Sequence, residues 1–173
     1  MDFVRTQFAH IPIPKTSFEG QTIIVTGSNV GLGLEAARHF ARLGANKVIL
    51  AVRSISMGEA AAKSIHESAG KEGVCEVWHI DMGNWDSIKE FVKKTESLER
   101  LDVVVENAGI AMPEWSEMEG IESTIAVNVV GTFLLALNLL PILRTKGKRN
   151  GVTPKLVITS SDVHFMVSAI SLI

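Results

Sequence analysis

Residues 26–33 read TGSNVGLG, and they stand between a short β-branched run, TIIVT, and a stretch in which apolar residues recur at helical spacing (Leu32, Ala36, Phe40, Leu43) before Gly44 stops it. Glycines at 27, 31 and 33 are useful there for one reason each: a tight turn, a close backbone approach, and close packing of helix on strand all need a missing side chain. The helix that follows offers unpaired N–H groups and the positive end of its dipole to an anion. Glycines of this kind also occur in ordinary turns. Their place at the opening of a strand–helix unit favours a dinucleotide site over a structural turn. A P-loop is excluded, because no Lys-Ser or Lys-Thr follows the glycines.

The same alternation repeats along the chain. KVILAV leads to helical spacing around Met57, Ala61 and Ile65; CEVWHI leads to Ile88 and Val92, with Asn84 as the expected cap; LDVVV leads through a loop to a long helix from about Glu122; KLVIT is a fifth strand. Continuous apolar strands separated by helices predict an α/β fold with a parallel sheet covered on both faces. No low-complexity or linker-like stretch divides it. The expected organisation is an extended arm over residues 1–20, whose two X-Pro steps disfavour helix, and one nucleotide-binding domain over residues 21–173.

Charge and composition narrow the partners. Lys plus Arg is 17 against 19 Asp plus Glu, a net charge of -2, so no overall basic field invites nucleic acid. Cys75, alone in its type, sits in an apolar strand and reads as a core residue, and a reducing, cytoplasmic setting is expected. The N-terminus has no apolar run long enough for a signal-peptide core. TIAVNVVGTFLLALNLLPIL is long and apolar but contains Asn128, Asn138 and Pro141, so a buried helix is expected, with membrane contact the minor reading.

The second strand ends LAVRS. A carboxylate there would hold a ribose 2′-hydroxyl, as an NAD site requires; Val52 and Arg53 stand there instead, and an arginine suits a 2′-phosphate. NADP (NADPH) is therefore expected over NAD, against the plainer reading of Arg53 as a solvated strand-end charge.

TGSNVGLG, the DM after the third strand, ENAG after the fourth, an Asn in the long helix and SS after the fifth resemble, in order and spacing, the short-chain dehydrogenase/reductase family. GIESTIAVNVVGTFLLALNLLPIL and SSDVHF are similar to its retinol-dehydrogenase-like branch. The resemblance runs from about Gln21 onward and implies a Rossmann-type, doubly wound parallel sheet of about five strands, incomplete at its C-terminal end.

By position, it implies cofactor contacts from Gly27, Ser28, Asn29, Gly31, Leu32 and Gly33, with Asp81 and Met82 at the adenine. It implies further contacts from Asn107, Ala108 and Gly109, while Glu106 replaces the usual first asparagine and puts that residue's cross-sheet contact in doubt. Asn128 matches the helix asparagine that orders water behind the catalytic lysine, and Ser161 matches the serine that hydrogen-bonds the substrate oxygen. Asp162 and His164 do not form a hydrolase triad with that serine, and no G-x-S-x-G is present.

The family's Tyr-x-x-x-Lys would begin at or just beyond Ile173, and the chain contains no tyrosine. The expectation is thus an oxidoreductase of carbonyl and alcohol groups on a small-molecule substrate, with catalysis by this chain alone very weak. The alternative is an NADP-binding or interaction fragment without catalysis. The open edge of the fifth strand leaves room for a homo-oligomer.

Overall fold

Sheet order follows from which strands are apolar throughout. In the computed structural model, which describes residues 12–161, β1 (Thr22–Thr26) lies at the centre of a five-stranded parallel sheet. Around it run β3 (Cys75–His79), β2 (Lys47–Val52), β1, β4 (Val103–Glu106) and β7 (Lys155–Ile158), in that order. β1 and β2 are buried almost end to end, as strands covered on both faces must be. The chain reverses direction across the sheet between β1 and β4, so the turns at the C-terminal ends of those two strands diverge into a crevice.

Helices α1 (Gly31–Arg42) and α2 (Ile55–Ala69) cover one face, over Ile23, Val25, Val48 and Leu50. Helices α3 (Trp85–Glu96) and α4 (Ser123–Asn150) cover the other, over Ile24, Ile49 and Val104. Asn84 caps α3 as expected, its Oδ1 accepting the Ser87 N–H at 2.8 Å. A small antiparallel hairpin, β5 (Glu117–Met118) and β6 (Ile121–Glu122), precedes α4; no periodic signal in the sequence announces it.

Two expectations change. Leu32 does not face the core: α1 buries Gly33, Ala37 and Ala41, and Leu32 points to solvent. Small residues on that face let the helix sit close to β1, and the apolar spacing read from larger residues was rotated by about one position. The long helix is not buried all round. Leu135, Ala136, Leu139 and Leu143 face inward, whereas Ile125, Val129, Phe133 and Leu137 form an exposed stripe four residues apart. Within it, Ala126–Gly131 winds as a π-helical turn, and Pro141 is carried inside the helix. A side chain at Gly131 would overlap the Met82 carbonyl, so the turn is pressed against the loop that follows β3.

The last part of the N-terminal arm is tied to the domain: Phe18 stacks edge-on against Phe40 at 4.8 Å, and its N–H donates to the Leu43 carbonyl. Residues 1–11 lie outside the described residues.

At the opposite end of the sheet from the crevice, Asp102 joins β1 to β4. It is buried, accepts the Thr22 N–H at 2.8 Å, and receives the Arg100 Nε at 2.7 Å. Asp102→Ala leaves Thr22 N–H without its acceptor inside the sheet and should lower stability by about 2–3 kcal/mol in urea unfolding, while Arg100→Ala, at a part-exposed site, should cost under about 1 kcal/mol.

Candidate functional site

The crevice at the ends of β1 and β4 opens into a cleft of about 350 Å³. It is built from three turns. Thr26, the last residue of β1, is fully buried, and its hydroxyl oxygen accepts the N–H of Asn107 at 3.0 Å and of Ala108 at 2.9 Å. Asn107 returns the contact, its Nδ2 donating to the carbonyls of Thr26 at 3.2 Å and Gly27 at 3.4 Å. Gly27 turns with φ +65°, and a Cβ there would lie 2.8 Å from the Ala108 Cα. Any side chain would both strain the turn and push the two strand ends apart. A Cβ on Gly33 would overlap the Gly27 carbonyl and the Asn107 side chain, so α1 must begin with glycine if it is to start against this joint.

Helix α1 starts from Val30, which supplies no side-chain cap. Its first N–H groups are therefore left to a ligand or to water. Ser28 turns away, fully buried, with its hydroxyl donating to the Val25 carbonyl at 2.9 Å. Across the cleft Arg53 is exposed at the end of β2, and Ser54 caps α2 by accepting the Met57 N–H at 3.4 Å. Asp81 Oδ1 accepts the Gly83 N–H at 2.9 Å, which fixes the loop carrying Met82. Asn128 clamps the far wall: its Oδ1 accepts the Ile110 N–H at 2.9 Å and its Nδ2 donates to the Ile110 carbonyl at 2.8 Å.

Of the residues singled out in the sequence, Gly27, Asn29, Arg53, Asp81, Met82 and the Asn107–Gly109 turn line one cleft. Ser28, Gly31, Leu32 and Gly33 are not among its lining residues; Gly33 packs beneath the Gly27 turn, Gly31 opens α1 with open space beside it, and Leu32 faces solvent. Ser161 ends the described chain, two residues beyond the last β4–β7 rung, where the Thr159 N–H donates to the Glu106 carbonyl at 2.9 Å. Asp162 and His164 lie outside the described residues.

Sequence reasoning missed Thr26, whose hydroxyl joins the two strand ends, because a Thr ending a β-branched run reads only as strand. It also missed Met57 and Ile110 as walls. Cys75 is half-buried, and burial pushes its thiol up to about 11, which fits an inert position.

Glu106 is the anomaly. It ends β4 with 2% of its surface exposed, and neither carboxylate oxygen has a hydrogen-bond partner among the described residues. Burial pushes its carboxyl from 4.5 up to about 8. The Glu106 side chain makes no hydrogen bond across the sheet among the described residues; the turn is joined to β1 through Asn107 and Thr26.

Comparison with known proteins gives a consistent picture. The family model described as short chain dehydrogenase matches residues 21–170. A short chain dehydrogenase of Gibberella zeae is 45% identical over 163 residues, covering 94% of this chain and 48% of that protein. One of Emericella nidulans is 48% identical over 164 residues, covering 94% and 52%. The chain spans about half the length of the curated relatives it matches. Among solved structures, a short chain dehydrogenase from Escherichia coli CFT073 complexed with NADPH superposes with a TM-score of 0.72 at 29% identity, covering 90% of this chain and 65% of that one. One from Shigella flexneri 2a complexed with NADP gives 0.71 at 27% identity, covering 90% and 65%.

The Glu106 carboxyl makes stability depend on pH in a defined direction. The folded chain holds this proton more tightly than the unfolded chain, so the contribution is complete below about pH 4.5, falls as pH rises, and is gone above about pH 8. Chemical denaturation should find the chain less stable at alkaline than at mildly acidic pH, by on the order of 3 kcal/mol from this group. Glu106→Leu should remove most of that slope and be more stable than the parent chain above pH 8.

Proposed function

Because this chain belongs to the short chain dehydrogenase family, we propose that it binds NADP in the cleft between β1 and β4, as the nucleotide-binding part of an oxidoreductase acting on carbonyl or alcohol groups of a small molecule. The observation that carries the proposal is the convergence of Gly27, Arg53, Asp81 and the Asn107–Gly109 turn on one cleft at the switch point of a parallel sheet.

The residues present fit the cofactor. The floor of the cleft is backbone alone, because a Cβ on Gly27 or Gly33 would overlap the neighbouring turn, and the α1 N–H groups are uncapped. A pyrophosphate belongs at that helix end. Arg53 holds the 2′-phosphate, beside Asn29 and Ser54 on the same wall. Asp81, with its loop fixed through Gly83, accepts from the adenine amino group, and the Met82 backbone lies next to it. Asn107, locked to the Thr26 and Gly27 carbonyls, fixes the turn that would help to hold the cofactor.

When bound, the nicotinamide supplies or takes a hydride. The chain's own part in that chemistry is orientation. Ser161, placed just past β7, donates its hydroxyl hydrogen to the substrate oxygen, and Asn128, by holding both backbone groups of Ile110, keeps the adjoining wall in position. Proton transfer at the pace of the family's enzymes calls for an acid–base pair in the Tyr-x-x-x-Lys pattern, and no tyrosine is found in these 173 residues. Two complexes of relatives, one with NADPH and one with NADP, support the choice of cofactor. The absence of a carboxylate at the end of β2 supports it independently.

Arg53→Asp should weaken NADPH binding by about 2 kcal/mol while leaving NADH unchanged or better bound, as read by fluorescence titration of the two reduced cofactors. An equal loss for both would take Arg53 out of the site.

A further inference from the structure

Glu106 occupies a position that the cofactor reading leaves without work. It lies two residues after Val104 in β4, so its side chain is on the sheet face covered by α3 and α4. Its backbone begins the Asn107–Gly109 turn, and its carbonyl accepts the last rung from β7 at Thr159. It is in register with Ile158 on β7 and abreast of Thr26 on β1, the residue whose hydroxyl receives the Asn107 and Ala108 N–H groups. A carboxyl at this point sits between the rung from Thr159, which its own carbonyl accepts, and the turn whose next two N–H groups close on Thr26.

Among the described residues, no counter-charge faces it from the surrounding elements. β1 contributes Thr26 and β7 contributes Ile158. The π-helical turn of α4 carries only Ala, Val, Asn and Gly, and the next ionisable residue along that helix is Arg144, more than three turns away. Glu122, before α4, is committed to the N–H groups of Thr124 and Ile125. Lys155 is in register with Val103, at the far end of the strand pair, where Asp102 is already paired with Arg100. The charged residues of α3, from Asp86 to Glu96, are on its exposed face, and the helix itself packs on β3 and α4.

An ionised carboxylate here has no partner among the described residues and is driven toward water; Ile158, in register with it on β7, is 37% exposed. That movement pulls on the β4–β7 rung and on the turn beyond it.

Resting on the dinucleotide reading above, we propose that Glu106 is a positioning residue that couples pH to the cleft: its neutral carboxyl lets β4 and β7 hold the Asn107–Gly109 turn and Thr159 in place, and its ionisation displaces them and weakens cofactor binding. The raised affinity of the buried carboxyl for its proton puts the change in the mildly alkaline range. Such a device gives the cleft a pH response from a group that touches neither cofactor nor substrate.

The test uses the whole chain, isotopically labelled, with amide spectra followed from about pH 6 to about pH 9.5, a range that brackets the carboxyl's raised transition. In the parent chain the amide resonances of Asn107, Ala108, Gly109 and Thr159 should move with a common midpoint near 8. In Glu106→Gln, and in Glu106→Met should the glutamine variant fold poorly, they should not. NADPH should bind the parent about tenfold more weakly at the alkaline end than at the acid end, and both variants with no such dependence; reciprocally, saturating NADPH should raise the common midpoint by about one pH unit.

The proposal fails if those amides ignore pH in the parent, if they titrate alike in parent and variants, or if NADPH affinity keeps the same pH slope after substitution. A chain whose amides titrate as expected but which binds no NADPH at any pH would sink the dinucleotide reading and keep Glu106 as the residue that moves the turn.

Discussion

The cleft depends on one joint, where the turn after β1 meets the turn after β4. Thr26 accepts two backbone N–H groups through a single oxygen, Asn107 donates back to two carbonyls, and Gly27 comes so close to Ala108 that no side chain fits between them. Each of these is an ordinary interaction worth about 1 kcal/mol. Together they hold two strands that belong to opposite halves of a doubly wound sheet at one separation, and the cleft is the space this separation leaves. The glycine at 33 then lets α1 start directly on the joint, which brings its free N–H groups to the cleft floor.

The far wall is set by a second close approach. Gly131 lets the π-helical turn of α4 press onto the Met82 carbonyl, and three residues earlier Asn128 grips the backbone of Ile110. A helix that simply lay along the sheet would leave that loop unheld. Widened turns of this kind recur at functional sites because they re-aim a side chain without ending the helix. Here the side chain re-aimed is Asn128, and what it fixes is the loop leading away from the Asn107–Gly109 turn.

Much of this was legible in the residues. The parallel sheet followed from five apolar runs separated by helical spacing, and the place of the site followed from glycines at a strand–helix junction. What could not be read were features set by distance rather than by pattern. The burial of Gly33, Ala37 and Ala41 in place of Leu32 reflects how close α1 lies to β1, and periodicity in large apolar residues does not register small ones. The π-helical turn has no signature in AVNVVG until Met82 is known to sit beneath Gly131. The exposed stripe of Ile125, Val129, Phe133 and Leu137 could not be told from core, since composition alone does not say which face of an apolar helix is covered. Glu106 is the opposite case: its sequence departure from a familiar tetrapeptide was visible, and the structure turned it from a missing contact into a buried, unpartnered acid at the edge of the site.

The most direct test of the account is an amide-resonance titration of the chain with NADPH. Saturable shifts should appear at Gly27, Gly31, Arg53, Asp81 and the Asn107–Gly109 turn, the three walls and floor of the joint, while residues of the β5–β6 hairpin and the C-terminal turns of α4 stay unmoved. Shifts that never saturate, or that gather away from the joint, would contradict it.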